Sequence, residues 1–261
     1  MMGITHATSG AAAWIAMTGT LPVLTVGAYP LDPLGVLAGT AVCAGAALLP
    51  DADHHSATIA HSVPVLGRMT AETVETLSGG HRHGAHSPVG AAIVAVGAWA
   101  LTLLTLTTDE LGTIAIGAGI GAAALTCFGL KARGYVRTWP MAWLLGALLG
   151  AFIVVVAPEQ VAWFPLAVTI GFVAHLAGDF LTTGGLPGLL WPWVPRPPEA
   201  LRPVPVLNRM WLPNGYVALP LLGDTGSIRE AMFGALLGVY CFADFAHESL
   251  RVIGIDLFAL G

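Results

Sequence analysis

The sequence predicts an all-α protein: a polytopic membrane bundle of six or seven hydrophobic helices with a Pro/Trp-rich interfacial loop. Three observations carry this expectation. Of 261 residues, 56% are hydrophobic and only 10% are charged, where an ordinary soluble domain has roughly 25% charged residues. Six segments approach the about 20 mainly apolar residues that a transmembrane helix needs. The few basic residues fall in alternate connections between those segments. The same composition excludes disorder, because apolar residues that drive burial are abundant. A net charge of −5, with ten Lys and Arg in all, excludes nucleic acid as a structural partner.

The expected spans are 7–28, 34–49, 88–107, 111–130, 139–157 and 161–181. The first two are rich in Gly, Ala and Thr, which suits close helix packing. A seventh segment, 231–246, is short and contains Asp244, so it is expected as a span, a half-span or an interfacial helix. Even-numbered connections hold Arg68 and Arg82, then Lys131, Arg133 and Arg137, then Arg196, Arg202, Arg209 and Arg229. The odd connections hold Asp32, Asp109, Glu110 and Glu159 instead. The positive-inside rule therefore places the even connections in the cytoplasm. Residues 1–261 read as one integral-membrane domain. The N-terminus, MMGITHATSG, has no basic n-region and is taken as part of the mature protein.

Two connections are long. Residues 50–87 hold most of the histidines. Residues 184–229 contain LLWPWVPRPPEALRPVPVLNRMWLPNG, too proline-rich for a continuous helix, with Trp191, Trp193 and Trp211 suited to the headgroup layer. This stretch is expected to form an interfacial lid or collar. Cys43, Cys127 and Cys241 are scattered singly, so neither a disulfide framework nor a thiolate zinc site is indicated.

The chemistry-bearing residues are concentrated at one membrane face. His6 precedes the first span. Asp51, Asp53, His54, His55 and His61 follow the second, and His81, Arg82, His83 and His86 precede the third. His175 and Asp179 lie four apart near the end of the sixth, so both project from one face of that helix. Ionisable groups inside a span are costly and usually have a partner or a function. Each piece also has a plain structural reading: a helix stop for PDAD, a polar loop for HRHGAH, a His–Asp hydrogen bond for the last pair. Imidazole and carboxylate without thiolate suit Zn, Mn, Fe or Ni. The number of candidate ligands exceeds the three that one catalytic zinc uses, so two or more ions are expected. Ser87 before Pro88 reads as a helix cap with proline at the first helical position. No HExxH, GxSxG, P-loop or GxGxxG motif is present. Asp244, His247, Glu248 and Arg251 share a helix face and read as a polar helix end.

Taken in order, these motifs resemble the YdjM-like family of bacterial inner-membrane proteins, described as membrane-bound metal-dependent hydrolases. The pattern is an early His, then LPDxDH, HRxxTHS, HxxxD with a Thr/Gly stretch, a Trp/Pro segment and TGxxxE. Here it falls on His6; Leu49 to His54; His81, Arg82, His86 and Ser87; His175, Asp179, Thr182, Thr183 and Gly184; and TGSIRE, ending at Glu230. Ala85 departs from it, standing where the pattern has Thr. A more distant similarity, to the zinc-dependent phospholipase C and single-strand nuclease superfamily, implies phosphoester hydrolysis.

The expectation is a cytoplasm-facing inner-membrane hydrolase acting on an ester or phosphoester, with membrane lipid as surroundings and a lipid or lipid-linked molecule as substrate. His6, Asp51, Asp53, His86, His175 and Asp179 would hold divalent ions, zinc before Mn or Fe. His54 and His81 would ligate or carry protons, and Arg82 would meet an anionic group. The alternatives are a di-iron lipid oxidase, since HRHGAH resembles one histidine box of membrane desaturases, and a non-enzymatic metal transporter or sensor. The sequence leaves the oligomeric state open.

Overall fold

The computed structural model describes residues 1–21, 25–188, 190–201, 203–256 and 258. It is mostly helical, with α1 (Gly3–Thr18), α2 (Pro33–Ala46), α3 (Leu66–Ser78), α4 (Pro88–Thr102), α5 (Ile116–Ala132), α6 (Trp139–Ala151), α7 (Phe164–Phe180), α8 (Pro205–Met210) and α9 (Ile228–Val252). Among the described residues, three helical stretches are long and apolar enough to cross a membrane: Pro33–Asp53, Trp139–Val156 and Pro158–Phe180. α4 and α5 are shorter apolar helices.

Local chemistry sets the helix starts. Asp32 accepts a hydrogen bond from the Gly35 N–H ahead of Pro33. Ser87 does the same for Gly90 ahead of Pro88, as the sequence predicts. Both satisfy amides that the first helical turn leaves without partners.

Two expected boundaries are corrected. α1 begins at Gly3 and ends at Thr18, so His6 lies inside the helix and not before it. The connection between α4 and α5 is a small antiparallel hairpin, β1 (Leu106–Thr108) with β2 (Gly112–Ile114). The β-branched threonines at 105, 107 and 108 favour extended backbone, and Gly112 takes the positive φ of 68° that the turn requires. The helices expected at 88–107 and 111–130 are consequently only 15 and 17 residues long.

α1, α2 and α7 pack against one another, α2 also packs on α5, and α5 packs on α6. Small residues allow the close approach. A Cβ at Gly45 would stand 1.8 Å from the Leu125 carbonyl oxygen, and one at Gly171 would stand 2.4 Å from that of Cys43. Trp14 and Trp163 fill the centre, with their indole N–H groups donating to Val36 O and Gln160 Oε1. Cys43 and Cys127 are buried and free.

α9 is inside out by the standard of a soluble helix. Its outward stripe is Ile228, Met232, Leu236, Val239, Phe242 and Phe245, while Glu230, Asp244, His247 and Glu248 are buried. Water does not favour such an arrangement; lipid does.

α1 starts at the end of the bundle where α2 and α7 finish and α4 begins. That connectivity brings four polar segments together.

Candidate metal centre

His175 and Asp179 sit on the last turns of α7 and are fully buried. The Nδ1–H of His175 donates to the Ala47 carbonyl at 2.7 Å. A carbonyl only accepts, so the proton is on Nδ1 and the Nε2 lone pair faces the interior. The short helical turn Pro50–Asp53, directly after α2, brings in Asp51. The turn Gly84–His86, just ahead of Ser87, brings in His86.

These donors converge. His86 Nε2 lies 3.3 Å from His175 Nε2 and 3.4 Å from Asp51 Oδ1. Asp51 Oδ1 lies 3.7 Å from His175 Nε2. Asp179 Oδ2 is 3.7 Å from both imidazole nitrogens. Donors placed tetrahedrally about 2.0–2.1 Å from a zinc ion are about 3.3–3.4 Å apart. Asp51, His86 and His175 therefore already stand close to the spacing that one ion requires.

Asp179 and His6 flank this set. The His6 ring stacks on that of His175, with centroids 3.6 Å apart, and His6 Nε2 is 3.2 Å from Asp179 Oδ1. Neither nitrogen of His6 has a hydrogen-bonding partner, and neither does Asp179 Oδ2, although all are buried. The Met1 amino group pairs with Asp179 Oδ1. Buried polar atoms without hydrogen bonds are costly, and a cation among them would satisfy them. The donor set therefore fits a divalent metal.

Asp53 is placed differently. Its two oxygens accept from His81 Nδ1 at 2.8 Å, the Arg82 N–H at 2.9 Å and His86 Nδ1 at 3.1 Å. It thus orients the His86 ring from behind, as a carboxylate partner of a ligating histidine does. Burial opposes protonation of His86, but the Asp51 and Asp53 carboxylates outweigh it and hold its pKa at about 9.

Arg82 and a ladder of rings cover the site. Arg82 has a positive φ of 59°, and its Nη2 is 3.3 Å from Asp179 Oδ2. His54 stacks on His55 at 4.4 Å and meets His81 at 4.6 Å, and His81 meets His86 edge-on at 5.6 Å. The ladder runs from exposed His55 inward. His61 is exposed on a separate turn.

Some contributors carry no sequence signal. The Tyr216 hydroxyl donates to the Arg82 carbonyl at 2.7 Å, which ties the 184–229 stretch to the site. The Trp191 ring lies against Gly84. The Ala47 carbonyl is equally silent in the sequence. Gly184 is legible as part of the Thr/Gly stretch, and a Cβ there would stand 2.0 Å from Arg82 Nη1. In the same stretch Arg196 and Arg209 are exposed; Arg202 lies outside the described residues. Asp244, His247 and Glu248 are remote, near Thr20 at the far end of α1, about 21 Å along the axis from His6.

Helices suited to a membrane and a buried His/Asp donor cluster define the class: a helical membrane protein able to hold a metal ion. The chain belongs to the YdjM inner membrane protein family, whose pattern it matches over residues 1–249. No curated protein and no solved structure matches it.

Proposed function

We propose that this protein is a metal-dependent hydrolase of the inner membrane, cleaving an ester or phosphoester of a lipid or lipid-linked molecule at the cytoplasmic face. The observation that carries the reading is the convergence of three ligand atoms, Asp51 Oδ1, His86 Nε2 and His175 Nε2, held 3.3–3.7 Å apart. Three protein ligands with an open position are the pattern of catalytic sites; structural sites are closed by four.

Zinc suits this donor set, and Mn or Fe remain compatible with it. His175 Nε2 has one lone pair and serves one ion. A second ion would then rely on His6 and Asp179, so one tight and one weaker site are expected. When bound, the metal supplies Lewis-acid polarisation and activated water.

The chain's own residues do the rest. Asp53 fixes the rings of His81 and His86. His81, held at Nδ1 by Asp53 and partly exposed, is placed to move a proton at Nε2, with His54 beyond it toward solvent. Arg82 sits beside Asp179 and would bind an anionic group of the substrate. The cytoplasmic orientation is supported by the basic residues of the even connections. The outward apolar stripe of α9 supports a further membrane-embedded helix beyond the five apolar stretches, consistent with a bundle of six or seven.

The test is hydrolysis by the purified, metal-supplemented protein of phosphatidic acid, phosphatidylglycerol and a soluble bis(p-nitrophenyl) phosphate. Turnover abolished by chelation and by His175→Ala is expected. Metal-independent turnover, or none on any ester with stoichiometric metal bound, would contradict the proposal. Stoichiometric iron with a visible-region absorption would instead favour the oxidase reading.

A further inference from the structure

Behind the donor cluster is a cavity of about 550 Å³, within the range of small-molecule sites. It adjoins the metal centre through two short turns. Ala52, between Asp51 and Asp53, lines it, and so does Ala85, next to His86. Adjacent residues are about 3.8 Å apart along the chain. The cavity wall therefore includes chain neighbours of Asp51, Asp53 and His86, while those side chains themselves do not line it.

The lining excludes a polar occupant. Among the described residues, no Asp, Glu, Lys, Arg or His lines the cavity; its walls include Ile59, Val74, Val94, Phe128 and Phe172. The three hydroxyls present are already committed. Ser62 donates to Ile59 O, Thr70 to Leu66 O and Ser78 to Glu75 O. The Trp143 indole N–H donates to Ser62 O. What faces the space is almost entirely hydrocarbon, the Trp191 indole edge aside. Ala85 adds only a methyl group to this wall.

The mouth opens on an exposed apolar surface. Leu66 and Leu77 at the two ends of α3, and Ile93 on α4, line the cavity and are also 63–78% exposed. α3 carries Arg68, Glu72 and Glu75 on its other, exposed face, the pattern of a helix lying in the interface. A hydrocarbon chain can thus enter sideways from the lipid.

We propose that this cavity binds one acyl chain of the substrate lipid, directing the linked ester or phosphoester to Asp51, His86 and His175. The proposal rests on the hydrolase reading for the word substrate, but acyl-chain binding is testable without turnover.

The experiment uses the full chain in nanodiscs of phosphatidylglycerol carrying a diazirine on the terminal carbon of one palmitoyl chain. After illumination, adducts are mapped by peptide mass spectrometry. They are expected on Val74, Val94 and Phe172, above the level on outward-facing Val96 and Leu144. Val94→Trp and, separately, Val63→Trp fill the cavity from different walls, and neither residue belongs to the metal centre. Each should lower cavity adducts by at least about tenfold, with bound metal unchanged. Adducts spread evenly over outward-facing residues, and unaltered in both variants, would overturn the proposal. Cavity adducts without metal-dependent hydrolysis would keep the acyl site and remove the hydrolase. Hydrolysis of the soluble phosphodiester without cavity adducts would do the reverse.

Discussion

Two buried polar clusters lie toward opposite ends of α1, and they handle charge in different ways. At the far end, Glu248 is buried but saturated: it accepts from the Thr20 N–H and hydroxyl and pairs with Arg251 at 2.8 Å. At the near end, the ligand atoms of His86, His175, Asp51 and Asp179 converge, His6 Nδ1 and Nε2 and Asp179 Oδ2 have no hydrogen-bonding partner, and Arg82 Nη2 lies beside Asp179. Glu248 is thus complete within the protein. A bound cation would complete the second cluster. Unpaired atoms alone do not separate the clusters, because Asp244 Oδ1 and Oδ2 and His247 Nδ1 at the far end are unpaired as well; what only the near cluster has is several imidazoles converging on carboxylates. The two clusters thus separate into a strut built on Glu248 and a candidate metal site according to whether imidazole and carboxylate ligand atoms converge on one point.

Variants in the two clusters should break in different ways. The largest effect is expected from His175→Ala, which removes one of three convergent ligands. Metal affinity should fall by more than about 100-fold, beyond the usual effect of losing a supporting residue, while helical content is retained. Titration with a competing chelator and circular dichroism would measure both. Next comes Arg251→Ala at the far cluster, which strands buried Glu248. A loss of about 2–3 kcal/mol is expected, less than for a fully buried pair because Arg251 still reaches water. Bound metal should not change; a drop in metal content would mean that the clusters are coupled.

Asp53→Asn sharpens the comparison from within the metal centre. It keeps the shape but weakens the hold on His81 and His86, so a 10–100-fold loss of affinity is expected. If Asp53 is itself a ligand, the loss should equal that of His175→Ala. Protonation provides a fourth, milder test. The pKa of His86 is raised to about 9, so a proton must leave before Nε2 can bind metal. Affinity should therefore rise by up to about tenfold per pH unit between pH 7 and about 9, then level off. The sign is opposite for the metal-free protein. The stabilisation from protonated His86 is fully present below about pH 6.5 and is lost as pH rises through about 9. Gly184→Ala should have the smallest effect. It displaces the flexible end of Arg82, raising KM for an anionic substrate a few-fold with metal retained.

Much of the buried His/Asp cluster was legible in the sequence, for a physical reason. Charge is so costly in an apolar chain that His and Asp at span ends mark themselves, and the i, i+4 spacing of His175 and Asp179 places both on one face. Composition likewise supports a helical membrane protein. Less legible were features set by tertiary packing. Nothing in the residues around Ala47 announces a carbonyl that fixes the His175 tautomer. Tyr216 is one aromatic in a stretch of many, and only the folded chain brings it to Arg82. The α4–α5 connection misled because hydropathy does not distinguish an apolar helix end from the extended threonines of a hairpin. α9 was hard to read because its polar residues, which look solvent-facing in sequence, point inward.

The most direct test of the central claim is elemental analysis of the detergent-purified protein after metal supplementation, comparing wild type, His175→Ala and Asp244→Ala. The account predicts at least one divalent ion per chain in wild type and in Asp244→Ala, and none in His175→Ala. No metal in the wild type, or equal metal in all three, would contradict it and leave the near cluster as a polar network like its counterpart.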